Sequence, residues 1–372
     1  MAPSDIASNQ NETASLKIPA GVVTGQAYRQ LVQACKEGGY ALPAVNVTNT
    51  NTINAVLEAA AKHNSDVIIQ LSSGGAQFFG GKGLENSFDA RVLGAVSAAQ
   101  HVHLMAEHYG VCVVLHTDHA HKELIPWVEA LIDYSEDLYH AEGHPLFSSH
   151  MLDLSAEPLD FNLSESKRLL TRMDKIEQSL EIELGITGGE EDGVGSEENL
   201  NNPSLYTQPE DCLRAYDDLN LVGHFSLAAS FGNVHGVYKP GNVKLRPEIL
   251  KNSQELIVQT HSTEKNPLNL VFHGGSGSDE KHIRDALSYG VFKMNIDTDL
   301  QFAFSKAIGG HVTDHPTAFL HQVDPETGAP QKKLYDPRVY LRLAEQAMVD
   351  RLGTAFDVLG SKNKSVAEPI CY

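Results

Sequence analysis

The chain has 372 residues, and 41% of them are hydrophobic, so it can bury a sizeable core. Its 28 basic and 48 acidic residues give a formal net charge of −20, which argues against nucleic acid and anionic membranes as partners. The four cysteines are far apart, the N-terminus is polar, and no apolar run approaches the roughly 20 residues that span a bilayer. These features predict a cytoplasmic protein without disulfide bonds.

Eight short apolar segments recur at spacings too long for β-hairpins and predict strands at residues 41–47, 66–71, 111–115, 146–154, 180–186, 227–231, 269–272 and 291–296. Between them, amphipathic stretches predict helices at 52–63, 91–108, 163–180, 245–260, 280–289 and 337–356. Alternating strands and helices are typical of an α/β fold with a parallel sheet. Eight strands favour a closed (β/α)8 TIM barrel, and an open doubly wound sheet is the alternative.

A single barrel domain is expected over residues 16–360, since no internal repeat or Pro/Ser-rich linker interrupts the chain. Residues 1–15 are expected to form a disordered N-terminal tail, and residues 361–372 a C-terminal tail. Longer loops are predicted at 78–89, 188–208 and 313–336. Loops of this length in a compact domain often act as lids or subunit contacts.

Histidines occur at three of the predicted strand ends. The βα loops of a barrel converge on one face, so His119, His235 and His273 can meet there. Three protein ligands and one open position are characteristic of catalytic zinc. A single histidine is more often a hydrogen-bonded core or rim residue, but three at corresponding strand ends favour a metal ion. His121 lies beyond its strand, and His116 lies inside it as a candidate core residue.

Glycine-rich segments follow two of the strands, at residues 72–75 and 273–278. Glycines let backbone N–H groups approach an anion, and the second segment precedes a predicted helix, whose N-terminus favours negative charge. A glycine-rich turn alone is a weak signal. Lys239 lies near the sixth strand and supplies a positive charge for a phosphate.

Two sets of carboxylates are candidates for proton transfer. Asp118 precedes His119, where it can carry a substrate proton or, alternatively, support the histidine as a hydrogen-bond partner. Glu190 and Glu191 lie on a glycine-flanked loop that suits a mobile acid or base. The alternative for these glutamates is an acidic surface loop.

Five segments carry a resemblance over residues from about 21 to about 356: 114–119 (VLHTDH), 180–185 (LEIELG) with 187–193 (TGGEEDG), 229–236 (ASFGNVHG), 272–277 (FHGGSG) and 293–299 (KMNIDTD). Together they resemble class II, zinc-dependent fructose-1,6-bisphosphate aldolases of the longer type found in bacteria and fungi. The resemblance implies a (β/α)8 barrel that reversibly cleaves fructose 1,6-bisphosphate to dihydroxyacetone phosphate and glyceraldehyde 3-phosphate, in glycolysis and gluconeogenesis.

The resemblance also implies roles for single residues. It implies zinc on His119, His235 and His273. Asp118 would exchange a proton with the C4 hydroxyl, and Glu191 would exchange one with the dihydroxyacetone phosphate carbon. A second, more buried divalent metal position is implied at Asp153 and Glu183. The residues that match the dihydroxyacetone phosphate site are Gly236, Gly274, Gly275, Ser276, Asn295, Ile296, Asp297 and Thr298.

Other implied contacts involve the distal phosphate, a cation and a second subunit. Ser72 matches the glyceraldehyde 3-phosphate side of the site, and a monovalent cation, Na⁺ or K⁺, is implied near the phosphate. Arg338 resembles an arginine that reaches the substrate of a neighbouring subunit, which implies a homodimer. Cleavage builds negative charge on the C2 oxygen as an enediolate forms. Asn295 is expected to donate a hydrogen bond to it, and Asn46 to support the same site.

Several alternatives stay open. A tagatose-1,6-bisphosphate aldolase would share these motifs, which do not distinguish the stereochemistry near C4. An aldolase with a lysine Schiff base would use Lys293, the nearest lysine, but has no need for three convergent histidines. A metal-dependent hydrolase on the same barrel would use His119, His121 and an activated water. A binding protein without activity would be expected to lack some of Asp118, Glu191 and the histidines.

Overall fold

A computed structural model describes residues 17–185, 188–191, 194–196, 206–235, 245–274 and 278–368. Within these ranges the backbone alone is described at 188–191, 194–196, 234 and 235. The expected N-terminal tail, residues 1–15, lies outside the described part of the chain.

The part of the chain that the structure describes contains twelve strands, some of only two or three residues. They are β1 (Gly21–Val22), β2 (Leu42–Asn46), β3 (Val67–Leu71), β4 (Cys112–Ala120), β5 (Ser149–Leu152), β6 (Ser179–Leu184), β7 (Gly188–Glu191), β8 (Val194–Ser196), β9 (Phe225–Ala229), β10 (Val234–His235), β11 (Leu270–Phe272) and β12 (Val291–Asn295). The eight predicted strands correspond to β2–β6, β9, β11 and β12, and each is parallel to its neighbours. Because β12 also pairs with β2, the sheet closes into the predicted (β/α)8 barrel.

The helices connect successive strands and cover the barrel. They are α1 (Gly25–Gly38), α2 (Thr50–Lys62), α3 (Ser73–Gly80), α4 (Ser87–Tyr109), α5 (Ile125–Glu142), α6 (Leu159–Met173), α7 (Pro209–Leu219), α8 (Glu248–His261), α9 (Glu280–Ser288), α10 (Thr298–Asp314), α11 (Lys332–Tyr335) and α12 (Pro337–Leu359). All six predicted helices occur, as α2, α4, α6, α8, α9 and α12. In the described part of the chain, no helix combines the length and the apolar character needed to cross a membrane.

Two apolar layers hold the barrel together, because each strand is buried on both faces. The outer layer packs the strands against the surrounding helices, with Trp127 of α5 and Phe356 of α12 among its fully buried side chains. The inner layer fills the amino-terminal half of the barrel, where Leu42, Ile68 and Val114 meet the buried face of α1. Apolar side chains therefore close one end of the barrel and leave polar ones at the other.

The segment after α12 differs from the expected C-terminal tail. Residues 361–368 pack on the barrel, and Val366 and Ala367 are buried beside Ile18. The backbone N–H of Val366 and the hydroxyl of Ser365 both donate hydrogen bonds of 2.8 Å to the carboxylate of Asp66. This carboxylate is buried just before β3, so it fixes the end of the chain to the amino-terminal side of the barrel.

The longer loops predicted at 78–89 and 313–336 are partly regular. The helix α3 continues to Gly80 and α4 begins at Ser87, so only the residues between them form a loop. A 3-10 turn at Pro316–Phe319 and the short α11 lie within the last predicted loop. The third, 188–208, contains a hairpin of β7 and β8, and β7 pairs in parallel with β10.

Candidate active site

Polar side chains fill the carboxyl-terminal half of the barrel interior. Alternate residues of a strand point to the same face of the sheet. In the first half of a strand the residues that face the barrel interior are apolar, and the next interior-facing residue, two positions later, is polar. On β3, the buried Ile68 is followed by Gln70, and on β4, Val114 is followed by His116 and Asp118. The strands β2 and β12 contribute Asn46 and Asn295 to the same region, since both contact Asp118.

Asp118 lies at the centre of an amide cage and is fully buried. Its Oδ2 accepts hydrogen bonds of 2.8 Å from Nε2 of Gln70 and 3.0 Å from Nδ2 of Asn46. Nδ2 of Asn295 lies 3.3 Å from Oδ1 and 3.5 Å from Oδ2. Donors on three neighbouring strands therefore fix the carboxylate in one orientation, and Oδ1 is its less engaged oxygen. Gln70 is not among the predicted site residues.

His119 leaves β4 in an unusual backbone conformation. Its φ is +43°, and the pairing of β4 with β5 shifts register between Thr117 and Ala120. A positive φ is uncommon for a residue with a side chain, and such conformations cluster at functional sites. Here Nδ1 of His119 lies 3.1 Å from Oδ2 of Asp153 and 3.7 Å from Oε2 of Glu183. Burial would raise the pKa of Asp153, but its contacts with His119 and Ser155 hold that pKa well below the usual value.

His273 follows β11 and faces His119, with ring centroids 4.7 Å apart. Its Nδ1 lies 3.3 Å from Oε2 of Glu183, and its Nε2 lies 2.9 Å from Oε1 of Glu181. Burial lowers the pKa of His273, but the two carboxylates outweigh it and raise the pKa to about 9. The surroundings of this ring therefore favour a positive charge, whether a proton or a metal ion supplies it.

Two groups of side chains that share His119 have the donor atoms and the spacing that a metal ion needs, and a third, fully buried group consists of His116, Asp118 and Glu181. Ligand atoms of Asp118, His119 and His273 lie within 4.8 Å of one another, and those of His119, Asp153 and Glu183 do so as well. Imidazole and carboxylate donors suit zinc, and the acidic surroundings suit a divalent cation. The residues present therefore fit a divalent metal, with His119 common to both groups.

A second polar layer lies below the histidines and is not predicted as part of the site. Nζ of Lys293 donates hydrogen bonds of 2.8 and 2.9 Å to the two carboxylate oxygens of Glu181. Burial raises the pKa of Glu181, but Lys293, His116 and His273 together keep it well below the usual value. His116 lies 3.5 Å from Glu181 and is a core residue, as expected, with its pKa lowered by burial and by Lys293. The sequence signal that could have indicated this layer is a single polar residue inside an otherwise apolar strand.

The hairpin brings two predicted residues to the mouth of the barrel. In the parallel pairing of β7 with β10, His235 lies opposite Gly189, so Glu191 is two residues further along the neighbouring strand. Only the backbone is described at His235 and Glu191. Gly236, Lys239, Gly275 and Ser276 lie outside the described residues.

The remaining residues predicted to bind dihydroxyacetone phosphate lie at two strand ends. Gly274 has a φ of +60°, a conformation that favours glycine, directly after His273. Ile296 is buried, Asp297 is the N-cap residue of α10, and Thr298 begins that helix. The helix α9 begins at Glu280 after the N-cap Asp279, as the sequence predicts. Helix N-termini and a glycine turn therefore surround the mouth, as anion sites require.

Two predicted residues lie further out. Ser72 is the N-cap of α3, and its hydroxyl accepts a hydrogen bond of 3.1 Å from the backbone N–H of Gly75. Arg338 lies in the first turn of α12, is exposed, and forms an ion pair with Asp336 at 2.7 Å. No contact between Arg338 and the Asp118–His119–His273 group is found among the described residues.

Two of the alternatives gain no support from this geometry. His121 lies after the end of β4, is half exposed, and contacts Glu123 at 2.7 Å, so it does not join His119 at one ion. Lys293 is buried with both oxygens of Glu181 as partners. A Schiff-base lysine needs an amine that faces the substrate, whereas Nζ of Lys293 is engaged by both carboxylate oxygens of Glu181.

Comparison with known proteins identifies the family. The sequence pattern of fructose-bisphosphate aldolase class-II matches residues 26–364. The chain belongs to this family. It is 51% identical over 352 residues to a fructose-bisphosphate aldolase of Campylobacter jejuni, covering 94% of this chain and 98% of that protein. It is 50% identical over 349 residues to the class 2 fructose-bisphosphate aldolase of Escherichia coli K12, covering 92% and 97%.

A solved structure of a class-II relative supports the barrel. The crystal structure of fructose-bisphosphate aldolase from Campylobacter jejuni superimposes with a TM-score of 0.85 at 49% identity, and covers 94% of this chain and 98% of that one. The protein is therefore an enzyme of the class-II aldolase family with a closed (β/α)8 barrel, and both sequence predictions are confirmed.

Proposed function

We propose that this enzyme reversibly cleaves fructose 1,6-bisphosphate to dihydroxyacetone phosphate and glyceraldehyde 3-phosphate. The observation that carries the proposal is the convergence of Asp118, His119 and His273 within 4.8 Å at the carboxyl-terminal end of the barrel. Two relatives at about half identity are named fructose-bisphosphate aldolases. A proton acceptor beside a metal-ligand cluster is what an aldol cleavage without a Schiff base requires.

The metal is proposed to be zinc, held by His119, His235 and His273. Asp153 and Glu183 would hold a second divalent ion, because both carboxylates lie close to Nδ1 of His119. When bound, the catalytic ion supplies Lewis-acid stabilisation of the negative charge that develops on the C2 oxygen of the substrate.

Asp118 is proposed to take the proton of the C4 hydroxyl as the C3–C4 bond breaks, and to return it in the condensation direction. The cage of Gln70, Asn46 and Asn295 supports this role, because it prevents the carboxylate from rotating. Oδ1 has one long contact of 3.3 Å and is the oxygen best able to accept the proton. Asn295 is proposed to donate a hydrogen bond to the enediolate oxygen as well, with Asn46 supporting that site.

Glu191 is proposed to exchange the proton at the dihydroxyacetone phosphate carbon. Its strand runs beside the one that carries His235, which supports a place near the reacting carbon. Carbanion protonation has to wait for the aldehyde to leave, so an acid on a loop hairpin suits the second step better than one in the barrel wall.

The phosphate contacts are proposed from the glycine turn and the start of α10, with Lys239 supplying a positive charge. They involve Gly236, Gly274, Gly275, Ser276, Asn295, Ile296, Asp297 and Thr298. Ser72 is proposed to contact the glyceraldehyde 3-phosphate half from the start of α3. A monovalent cation, Na⁺ or K⁺, is proposed beside the dihydroxyacetone phosphate group, where it would offset charge in a chain of net charge −20.

The proposed assembly is a homodimer in which Arg338 reaches the substrate of the partner subunit. The exposure of Arg338 supports this, because its side chain is 87% accessible in the isolated chain. The proposed setting is the cytoplasm, in glycolysis and gluconeogenesis, without nucleic acid or membrane partners. Cys35, Cys112 and Cys212 are buried free thiols, as a reducing compartment allows.

The first test is a coupled assay of fructose 1,6-bisphosphate cleavage before and after EDTA treatment, followed by addition of zinc. We expect activity to disappear with the metal and to return with zinc. Activity that persists after a demonstrated loss of metal would contradict the proposal. Cleavage of tagatose 1,6-bisphosphate in place of fructose 1,6-bisphosphate by the zinc-loaded enzyme would replace the substrate and leave the metal chemistry in place.

A further inference from the structure

The Lys293–Glu181 ion pair lies directly beneath the proposed metal ligands. Both side chains are about 2% exposed, and Nζ of Lys293 contacts both carboxylate oxygens at 2.8 and 2.9 Å. Removing two charges from water is costly, and a buried ion pair often contributes little net stability compared with apolar side chains of similar size. A role other than stability is therefore worth seeking for this pair.

Glu181 connects the pair to His273. Its Oε1 lies 2.9 Å from Nε2 of His273, whereas Nδ1 of the same ring faces Glu183 at 3.3 Å on the metal side. The two ring nitrogens thus have different environments. Glu183 is itself a proposed metal ligand, so a metal ion at the cluster would take the place of a proton on Nδ1, while the carboxylate acceptor of Glu181 keeps the proton on Nε2.

His116 lies on the other side of Glu181. His116 lies 3.5 Å from Oε2 of Glu181, and its Nδ1 contacts Oγ of Ser149 at 2.8 Å. Ser149 in turn lies near the hydroxyl of Tyr28 on α1, which closes the amino-terminal end of the barrel. Glu181 is therefore fixed by Lys293 on one side and flanked by the buried His116 on the other.

We infer that Lys293 and Glu181 together position His273: the lysine fixes the carboxylate, and the carboxylate fixes the rotation and the tautomer of the imidazole, with Nδ1 as the ligand atom. This inference rests on the proposed metal-binding role of His273. Neither residue touches the substrate in this assignment, so both act through the histidine. Lys293 and Glu181 strengthen the binding of the metal ion, although neither is a ligand of that ion.

The test uses the double variant Glu181→Gln with Lys293→Met in the full-length protein. It removes both charges at similar volume, so no unpaired charge stays buried and the fold is expected to persist. The glutamine amide can either accept from or donate to Nε2, so the tautomer is no longer enforced. We expect the Zn²⁺ Kd, measured by competition with a chromophoric chelator, to rise 10- to 100-fold. The visible absorption of the Co²⁺-loaded protein should also change.

A matched control is Gln254→Met, which removes a buried side chain that holds the backbone carbonyls of Leu268 and Tyr289. It should lower the melting temperature and leave the Zn²⁺ Kd and the Co²⁺ spectrum unchanged. A double variant that binds Zn²⁺ as tightly as wild type, with the same Co²⁺ spectrum, would overturn the inference. A His273→Ala variant that keeps the zinc stoichiometry of the wild-type protein would instead overturn the proposed ligand set.

A measurement on the wild-type protein keeps the inference testable if the double variant does not fold. In the zinc-loaded protein labelled with ¹⁵N-histidine, the His273 signals, assigned by their loss in His273→Asn, should show a proton on Nε2 and none on Nδ1. A proton on Nδ1 would contradict the assignment, because that nitrogen could not then bind the metal.

Discussion

At the scale of single residues, Asp118 and Asp66 illustrate how partners decide the role of a buried carboxylate. Both are about 1% exposed or less. Asp66 accepts from Val366, Ser365 and Cys112, and the donors of Val366 and Cys112 are backbone N–H groups. Asp118 accepts only from side-chain amides among the described residues, next to the proposed metal ligands. Asp66 is thus part of the chain's packing, whereas Asp118 is available for chemistry.

Replacing Asp118 with Asn should separate proton transfer from metal binding. The substitution keeps the size of the side chain but removes the proton acceptor, so kcat is expected to fall by about 10²- to 10⁴-fold. Zinc content should stay at the wild-type value, because His119 and His273 are unchanged. Steady-state kinetics and metal analysis on the same sample measure both quantities.

Asp66→Asn is the matched control for that experiment. It also neutralises a buried carboxylate, but at the amino-terminal end of the barrel. We expect a lower melting temperature with kcat close to wild type. A near-wild-type kcat for Asp118→Asn, or an equal loss in both variants, would contradict the proton-transfer role.

His150 should impose a pH dependence on stability. It is fully buried on β5, where burial lowers its pKa to about 3, while an unfolded chain has a histidine pKa near 6.5. Between these values the unfolded state binds a proton that the folded state excludes, so stability falls as the pH drops from 6.5 toward 3. His150→Gln should flatten this slope by up to about 1.4 kcal/mol per pH unit.

Urea unfolding of the metal-free protein between pH 4.5 and 6.5 would measure the slope, with metal release removed as a variable. His140→Gln is the control, since His140 is exposed at the end of α5. An unchanged slope in His150→Gln would show that the buried ring is not the group responsible.

The predictability of these residues depended on where they lie in the strands. Asp118, His119 and His273 end their strands, where a barrel places its chemistry, so position and residue type together predicted them. Gln70 and Glu181 lie inside strands that otherwise read as apolar core, and their roles depend on partners 48 and 92 residues away. Only the closed barrel brings such residues together. A single polar residue in an apolar segment can therefore be marked as a candidate site residue, but its partner cannot be assigned from the sequence.

At the scale of elements, the segment 361–368 behaves as part of the barrel. Its backbone forms hydrogen bonds with residues that are distant in sequence. The N–H groups of Asn363 and Ser365 donate to the carbonyls of His63 and Asn64, respectively. Ile18 exchanges hydrogen bonds of 2.9 and 2.8 Å with Val366 and Glu368. A tail is the expectation where the family resemblance ends, because these contacts depend on backbone groups of distant residues that no sequence pattern shows.

A chain that ends at Gly360 should therefore be less stable than one that ends at Glu368. The shorter chain loses two donors to the Asp66 carboxylate and exposes the surface that Val366 covers, a loss of roughly 3–5 kcal/mol in the free energy of unfolding. Urea unfolding of the two truncated chains would measure the difference. The longer one is the control, and equal stabilities would show that these contacts contribute nothing.

The helices α10 and α3 are two of those that lack a sequence prediction. The helix α10 places Leu300, Phe304 and Ile308 on one face, but only Leu300 is fully buried. The helix α3 contains three glycines in eight residues and begins at the Ser72 cap, a composition that resembles a phosphate-binding turn. Tertiary contacts with α4 and the rest of the barrel stabilise such a helix where propensity does not.

At the scale of the whole molecule, the exposed apolar side chains support the proposed dimer. Phe302 on α10 is 66% exposed and Leu320 is 78% exposed, and Val339 and Leu343 on α12 are also exposed. The helices α10 and α12 pack against each other, and Arg338 lies in the first turn of α12. Apolar surface on these two helices beside an accessible arginine is what a shared active site between subunits requires.

Arg338→Ala should raise the KM for fructose 1,6-bisphosphate at least tenfold and lower kcat much less. An exposed arginine can recognise a phosphate through paired hydrogen bonds, and its loss weakens binding more than it affects the chemistry at C4. The ion pair with Asp336 is at the surface, so the melting temperature should change little. Initial rates over a range of substrate concentrations measure the effect, and an unchanged KM would exclude contact with the substrate.

Hybrid dimers decide whether Arg338 acts in the partner's site. Mixing Asp118→Asn and Arg338→Ala subunits and allowing exchange should give one intact site per hybrid, since the Arg338→Ala subunit keeps Asp118 and receives Arg338 from its neighbour. Random mixing makes half of the dimers hybrids, so activity at low substrate should recover to about a quarter of wild type. If Arg338 acted within its own subunit, each site would carry one lesion and mixing would restore nothing. Both parent variants, incubated alone under the same conditions, provide the baseline.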